Sequence, residues 1–298
     1  MRVLISKHLL VLAGLCLGGC AASVQAEDNS AEDWADIIQI ELGHRRPMPV
    51  LSVYYDELNL ESAYDIQRAL VRRALEKHPL GGYKAAFSTA DLRQKYHLSQ
   101  PLAGVLFADG THPDGATVEL TQFVKPMLEI NLGFTLRSPI TRHIVSADDL
   151  LTYLGEIVPV IDIPDLNYLN PGGLNGSDFV ATNLGSGHYV VGKAIGGLDL
   201  KALNALKITL YREDALIDEG SGCAALGDQV DALLWLVNAA VAHGWPLRAG
   251  QLLLTGRLGG STPATPGRYR ADVGAGHALR FSLVIAPPTA ANAAQIQP

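Results

Sequence analysis

Along residues 127–136 apolar and polar positions alternate as in a strand with one buried face, and the alternation sets Glu129 and Asn131 on the same side. A second strand-like run, residues 157–165, carries one acid, Asp162, between Ile161 and Ile163, so its side chain points away from theirs. An unpaired carboxylate is costly to bury among apolar neighbours, and a bound cation offsets that cost. Helical spacing appears earlier. Residues 35–42 and 60–78 repeat apolar positions every three or four, the second with Ala63, Ile66, Leu70, Val71 and Ala74 on one side, and 89–96 forms a shorter helix with Thr89 at its N-cap. Beyond Gly104 short apolar runs are broken by Gly, Pro and Asn, which predicts strands over 117–122, 127–136, 158–163, 179–183, 188–191, 207–212, 251–255, 268–272 and 278–285. One helix interrupts them, with Leu226, Val230, Leu233, Leu234, Val237 and Val241 in register and Asp228 near its start. The pattern divides the chain into a leader (1–26), a helical cap region (27–103), a β-rich core (104–286) and an Ala/Pro/Gln-rich tail (287–298) expected to be disordered.

The leader has Arg2 and Lys7, an apolar run from Leu9 to Leu17 and then small residues, the order of an export signal and too short for a membrane span. Leu17-Gly18-Gly19-Cys20 resembles a bacterial lipobox with Cys20 as the acylated residue, and Val24-Gln25-Ala26 offers an ordinary cleavage site instead. The lipobox is the preferred reading. It implies a protein exported to the periplasm or lipid-anchored to the envelope, touching the membrane only through that lipid. Processing at Cys20 leaves Cys223 as the one unmodified thiol, so no intrachain disulfide forms.

With 298 residues, 48% of them hydrophobic, the chain is long enough for a sizeable core, and a net charge of −7 without Lys/Arg clusters excludes a nucleic-acid partner. The histidines are scattered, with no H-E-x-x-H pair for zinc, and no glycine run matches a nucleotide-binding pattern. Ser221 in Glu219-Gly220-Ser221-Gly222-Cys223 misses the nucleophile-elbow frame by one residue, which excludes a serine hydrolase.

Pro126-Met127-Leu128-Glu129-Ile130-Asn131, the later Asp162, and Gly82-Tyr83-Lys84 upstream resemble the 2-keto-4-pentenoate hydratase and 4-oxalocrotonate decarboxylase branch of the fumarylacetoacetate hydrolase superfamily, whose metal ligands come from a P-x-x-E-x-E strand and a later acid. The resemblance extends over most of the mature chain, through Ala63-Tyr64-Asp65-Ile66-Gln67, Gly104-Val105-Leu106-Phe107-Ala108-Asp109, Gly220-Ser221-Gly222 and Leu253-Leu254-Thr255-Gly256. It implies an α+β fold: mixed sheets rolled around a central site, with a small helical N-terminal cap. It also implies Glu129, Asn131 and Asp162 as ligands of Mg²⁺ or Mn²⁺, Lys84 and Asp109 as catalytic residues, and Asn183 and Ser186 as substrate-lining residues. The implied reaction is addition of water to a 2-hydroxy-2,4-dienoate, giving a 4-hydroxy-2-oxo acid, by a homo-oligomer acting on a small 2-oxo or 2-hydroxydienoic acid. Asn131 departs from the pattern by standing where the family has its second glutamate, which removes one negative charge and weakens the expected metal affinity. Decarboxylation, C–C hydrolysis, and a diverged exported protein that binds a small carboxylate or a protein partner without turnover stay open at this point. In cells fed labelled palmitate, the chain is expected to incorporate label and Cys20→Ser to lose it; label retained by Cys20→Ser rules out the lipobox.

Overall fold

The computed structural model describes residues 31–196, 200–274 and 276–285; the leader, Cys20 and the tail at 287–298 lie outside the described residues. Among the described residues no helix is long and apolar enough to cross a membrane. Two N-terminal helices, α1 (Ala31–Gly43) and α2 (Leu60–Ala74), are followed by β1 (Leu80–Ala86), α3 (Ala90–Lys95), β2 (Leu102–Phe107), β3 (Thr111–Pro113) and β4 (Thr117–Glu119). The middle of the chain forms β5 (Met127–Leu136), α4 (Ala147–Leu151), β6 (Leu154–Ile163), α5 (Gly176–Ala181), β7 (His188–Val191) and α6 (Leu200–Ala205). It closes with β8 (Lys207–Arg212), β9 (Ala215–Ser221), α7 (Gln229–Ala242), β10 (Leu252–Leu254), β11 (Thr262–Pro263), β12 (Gly267–Val273) and β13 (His277–Val284).

The strands make a mixed eight-stranded sheet ordered β2-β1-β10-β5-β6-β7-β3, with β11 added to β5, and a five-stranded sheet ordered β4-β13-β12-β8-β9. The large sheet curls until its two ends meet. Tyr189 on β7 donates its hydroxyl to the Phe107 carbonyl of β2 at 3.1 Å, and Thr111 donates to the same hydroxyl at 2.7 Å. Curling separates a concave face from a convex one. Leu128, Ile130, Leu132, Ile161 and Ile163 point to the convex side, into a core shared with α7 and the smaller sheet. The intervening residues Glu129, Asn131 and Asp162 therefore face the concave side, as their alternation with Ile161 and Ile163 predicts. The N-terminal helices pack Trp34, Ile38, Ile66 and Leu70 against Phe179 and Val180 of α5 in a second cluster. Asn59 starts α2 with a capping box to Ser62.

Three expectations are corrected. Residues 179–183, read as a strand, belong to α5 and a following turn, because Asn175 and Asp178 form a capping box that starts a helix and Asp178 is further tied to the Ser52 amide and hydroxyl. The run read as a strand over 117–122 stops at Glu119 and continues as a 3₁₀ turn. The region 27–103, read as helical, also supplies β1 to the large sheet, where Leu80-Gly81-Gly82 gave no strand-like alternation.

Glycine at 82 has a packing reason: its φ is +152°, and a Cβ there would stand 1.9 Å from the Leu252 carbonyl oxygen of the parallel neighbour β10. Gly82→Ala is expected to lower unfolding free energy by about 3 kcal/mol or more, against about 1 kcal/mol for Gly115→Ala, which shares the positive φ with nothing nearby. Urea melts that give equal losses for the two would show that the β1–β10 approach yields.

Candidate active site

The antiparallel register of β5 and β6 sets Glu129 directly opposite Asp162 on the concave face. Lys84 reaches the same face through β1 and β10, since Lys84 pairs with Leu254 and Leu254 with Gly133 of β5. Its Nζ donates to Asp162 Oδ2 at 2.8 Å, with both side chains only 4% exposed. Among the described residues the other carboxylate oxygen, Asp162 Oδ1, is buried without a hydrogen-bond partner. An orphaned carboxylate oxygen is the kind of atom a missing ligand would satisfy.

A second cation enters from a bulge. The Thr255 and Leu258 amides donate to the Leu132 and Ile130 carbonyls, so Gly256 and Arg257 together oppose the single residue Asn131. Gly256 takes a φ of +104° against Ser88, and Arg257 Nη1 comes to 3.6 Å from Glu129 Oε1. That is an ion pair without a hydrogen bond, and Arg257 Nε is buried with no hydrogen-bond partner among the described residues. Burial, then the neighbouring Asp162 charge, pushes the Glu129 carboxyl above its ordinary value, with Arg257 and Lys84 pulling the other way.

These groups floor a cavity of about 170 Å³ whose remaining wall is mainly apolar, with Phe87, Leu92, Tyr96, Leu166, Phe179 and Leu184. Phe87 and Leu184 hold φ near +56°, costly for large side chains, and Arg93 donates to the Ser88 carbonyl at 2.6 Å beside the first of them. A wall held in strained backbone, facing a charged floor, suits an elongated ligand with one anionic and one hydrocarbon end.

Lys84, Glu129 and Asp162 are thus brought together. Asn131 shares their face, with Nδ2 donating to the Glu129 carbonyl at 3.2 Å, a bond that does not use its amide oxygen. The structure does not bring Asp109, Asn183 or Ser186 to this cavity. Asp109 pairs with His78 at 2.6 Å, both side chains about half exposed. Asn183 bonds both the Val105 amide, at 2.8 Å, and the Val105 carbonyl, at 3.0 Å, a backbone-like pairing along β2 rather than a substrate contact. Ser186 lines a separate cavity of about 220 Å³ with Phe107, Phe123 and His188. Sequence reasoning missed Arg257, the aromatic wall and Ser261, which lines the same cavity. Gly256-Arg257 directly follows an apolar strand, but nothing in spacing distinguishes that arginine from a surface one.

The chain is 32% identical over 200 residues to 2-keto-4-pentenoate hydratase 1 of Dechloromonas aromatica, covering 67% of this chain and 76% of that one. This chain belongs to the 2-keto-4-pentenoate hydratase family. A second hydratase of the family, from Paraburkholderia xenovorans, is 28% identical over 226 residues, covering 74% of this chain and 82% of that one. No family model matches the chain. Among solved structures, 4-oxalocrotonate decarboxylase from Pseudomonas putida G7, complexed with magnesium and adipate, superposes with a TM-score of 0.78 at 19% identity over 85% of this chain and 97% of that one. That likeness bears out the expected fold: curled mixed sheets of the fumarylacetoacetate hydrolase type, with helices at the N-terminus.

The raised Glu129 value carries a sign for stability. Both states hold the proton below the unfolded value near 4.5, and as pH rises the unfolded chain releases it first, so stability falls through the folded value. In chelator-containing buffer, Glu129→Gln is expected to melt above wild type at about pH 8, with the gap closing toward pH 4.5. A gap independent of pH would refute the assignment.

Proposed function

We propose that this protein is a hydro-lyase that adds water to a 2-hydroxy-2,4-dienoate, as 2-keto-4-pentenoate hydratases do, and that it works outside the cytoplasm behind its N-terminal leader. The observation that carries the reading is the buried Lys84–Asp162 pair at 2.8 Å, facing Glu129 at the floor of a small cavity with an apolar wall. The substrate carboxylate meets the charged floor and its diene lies along Phe87, Tyr96 and Phe179.

The reaction balances as follows. The 2-hydroxyl loses its proton while C5 gains one, giving a 2-oxo-3-enoate; the oxygen of water then bonds C4 and C3 takes a proton. One molecule of water is added in total. Lys84 Nζ donates to the 2-oxygen as negative charge gathers there and carries a proton between that oxygen and the chain carbons, a role supported by its burial against Asp162 in the cavity floor. Asp162 holds the ammonium in place and balances its charge. The apolar wall limits water to what the reaction consumes.

The donor set also suits a divalent cation. Glu129, Asp162 and the amide oxygen of Asn131 would hold it, and Asp162 Oδ1 lacks any other partner. When bound, such an ion supplies Lewis-acid polarisation of the 2-oxo group and its carboxylate. A second reading, an exported binder of small carboxylates without turnover, is favoured by the neutral Asn131 at a ligand position.

With Mg²⁺ or Mn²⁺ and 2-hydroxypenta-2,4-dienoate, wild type is expected to form 4-hydroxy-2-oxopentanoate. Lys84→Arg, which keeps the charge facing Asp162 but moves the donor, is expected to lose about 10²-fold or more in kcat/KM. Asp109→Asn and Ser186→Ala should stay near wild type. A wild type that binds the dienoate without turning it over would establish the second reading instead.

A further inference from the structure

We propose that Arg257 is a built-in counter-ion for Glu129, so that a divalent cation occupies this site weakly until a small organic acid enters with it. The proposal rests on the metal-assisted reading above and concerns how that site is loaded.

Formal charge is the starting point. Glu129 and Asp162 contribute two negative charges, Lys84 and Arg257 two positive ones, and Asn131 none, so the site is neutral before any ion arrives. A glutamate at 131 would leave a net negative charge for a cation to meet. The asparagine removes it, and hard cations are held chiefly by anionic oxygen. Arg257 is not a mobile surface charge that swings aside: the bulge formed by the Thr255 and Leu258 hydrogen bonds fixes its backbone, and its side chain is 23% exposed. An ion ligated by Glu129 would sit within a few ångströms of the guanidinium in a largely enclosed cavity, where like charges repel far more than in water.

The guanidinium nevertheless has unspent donors. It stands 3.6 Å from Glu129, beyond hydrogen-bond range, and its Nε is buried and unpartnered. A carboxylate entering the cavity gives those donors an acceptor and adds the negative charge that the floor lacks. Cation and acid then favour each other's binding, and by linkage each raises the other's affinity by the same factor.

The test is Mn²⁺ affinity, read from the electron paramagnetic resonance signal of free ion, for the full chain with and without oxalate. Wild type is expected to bind weakly alone and markedly tighter with oxalate. Arg257→Leu should bind Mn²⁺ alone roughly tenfold tighter or more, Arg257→Lys should resemble wild type, and Asn131→Glu should also tighten. Arg257→Gln replaces the leucine variant if thermal melts show that variant unfolded. Arg257→Leu within about twofold of wild type, or tight binding by wild type without oxalate, overturns the proposal. If Asn131→Glu tightens while Arg257→Leu does not, only the role of Arg257 falls. If no variant binds Mn²⁺ with or without oxalate, the metal-assisted reading falls with it.

Discussion

The structure turns on two carboxylates set side by side on neighbouring strands at the bottom of a curled sheet, Asp162 buried and Glu129 largely so at 17% exposed. Such a pair is unfavourable unless each charge is matched, and here Lys84 matches one at 2.8 Å and Arg257 the other at 3.6 Å. Well-packed apolar residues would make an equally good or better core than a buried ion pair. Retention of four charged side chains around one small cavity therefore argues for chemistry rather than stability. Every nearby element serves that arrangement: β1 brings the lysine, β5 and β6 the acids, and the bulge after β10 the arginine.

The curl is what turns a flat ladder of alternating residues into a site. Tyr189 and Asn183 act at the β2 side of the sheet, one by a hydroxyl bond to Phe107 and the other by pairing both backbone groups of Val105. Asn183, expected from the resemblance to line the substrate, and Tyr189 both serve here as structural closures. The wall opposite the charged floor comes from α3, α5 and the loops beside them, where Phe87 and Leu184 are held in left-handed backbone. Strain concentrated at a cavity wall is affordable only because Arg93 and the surrounding packing over-determine it.

Membership of the 2-keto-4-pentenoate hydratase family and a cavity with one charged and one apolar end both support the proposed substrate chemistry. Two residues set the charge of the site: Asn131 contributes none, and Arg257 adds a positive one beside Glu129, so both act on the same electrostatic balance.

The order of apolar and polar residues was enough to place Glu129 and Asn131 on one face of their strand and Asp162 opposite Ile161 and Ile163 on its own, because strand alternation is a local property, and the β5–β6 register then set Asp162 beside Glu129. It also located α2 and α7, whose apolar stripes are long and regular. Motif order along the chain carried the family and, with it, Lys84. The rest depended on contacts between distant segments. Whether residues 179–183 extend or coil was decided by caps at Asn175 and Asp178, which win over the β-propensity of a short apolar run. Asp109 was drawn to His78 at the surface, and Asn183 to the backbone of β2. Arg257 became part of the site only because a one-residue bulge turns it toward Glu129, and a bulge is set by pairing with another strand. Local periodicity thus determined which groups share a face; the curl of the sheet, a product of all its strands together, decided which of them meet.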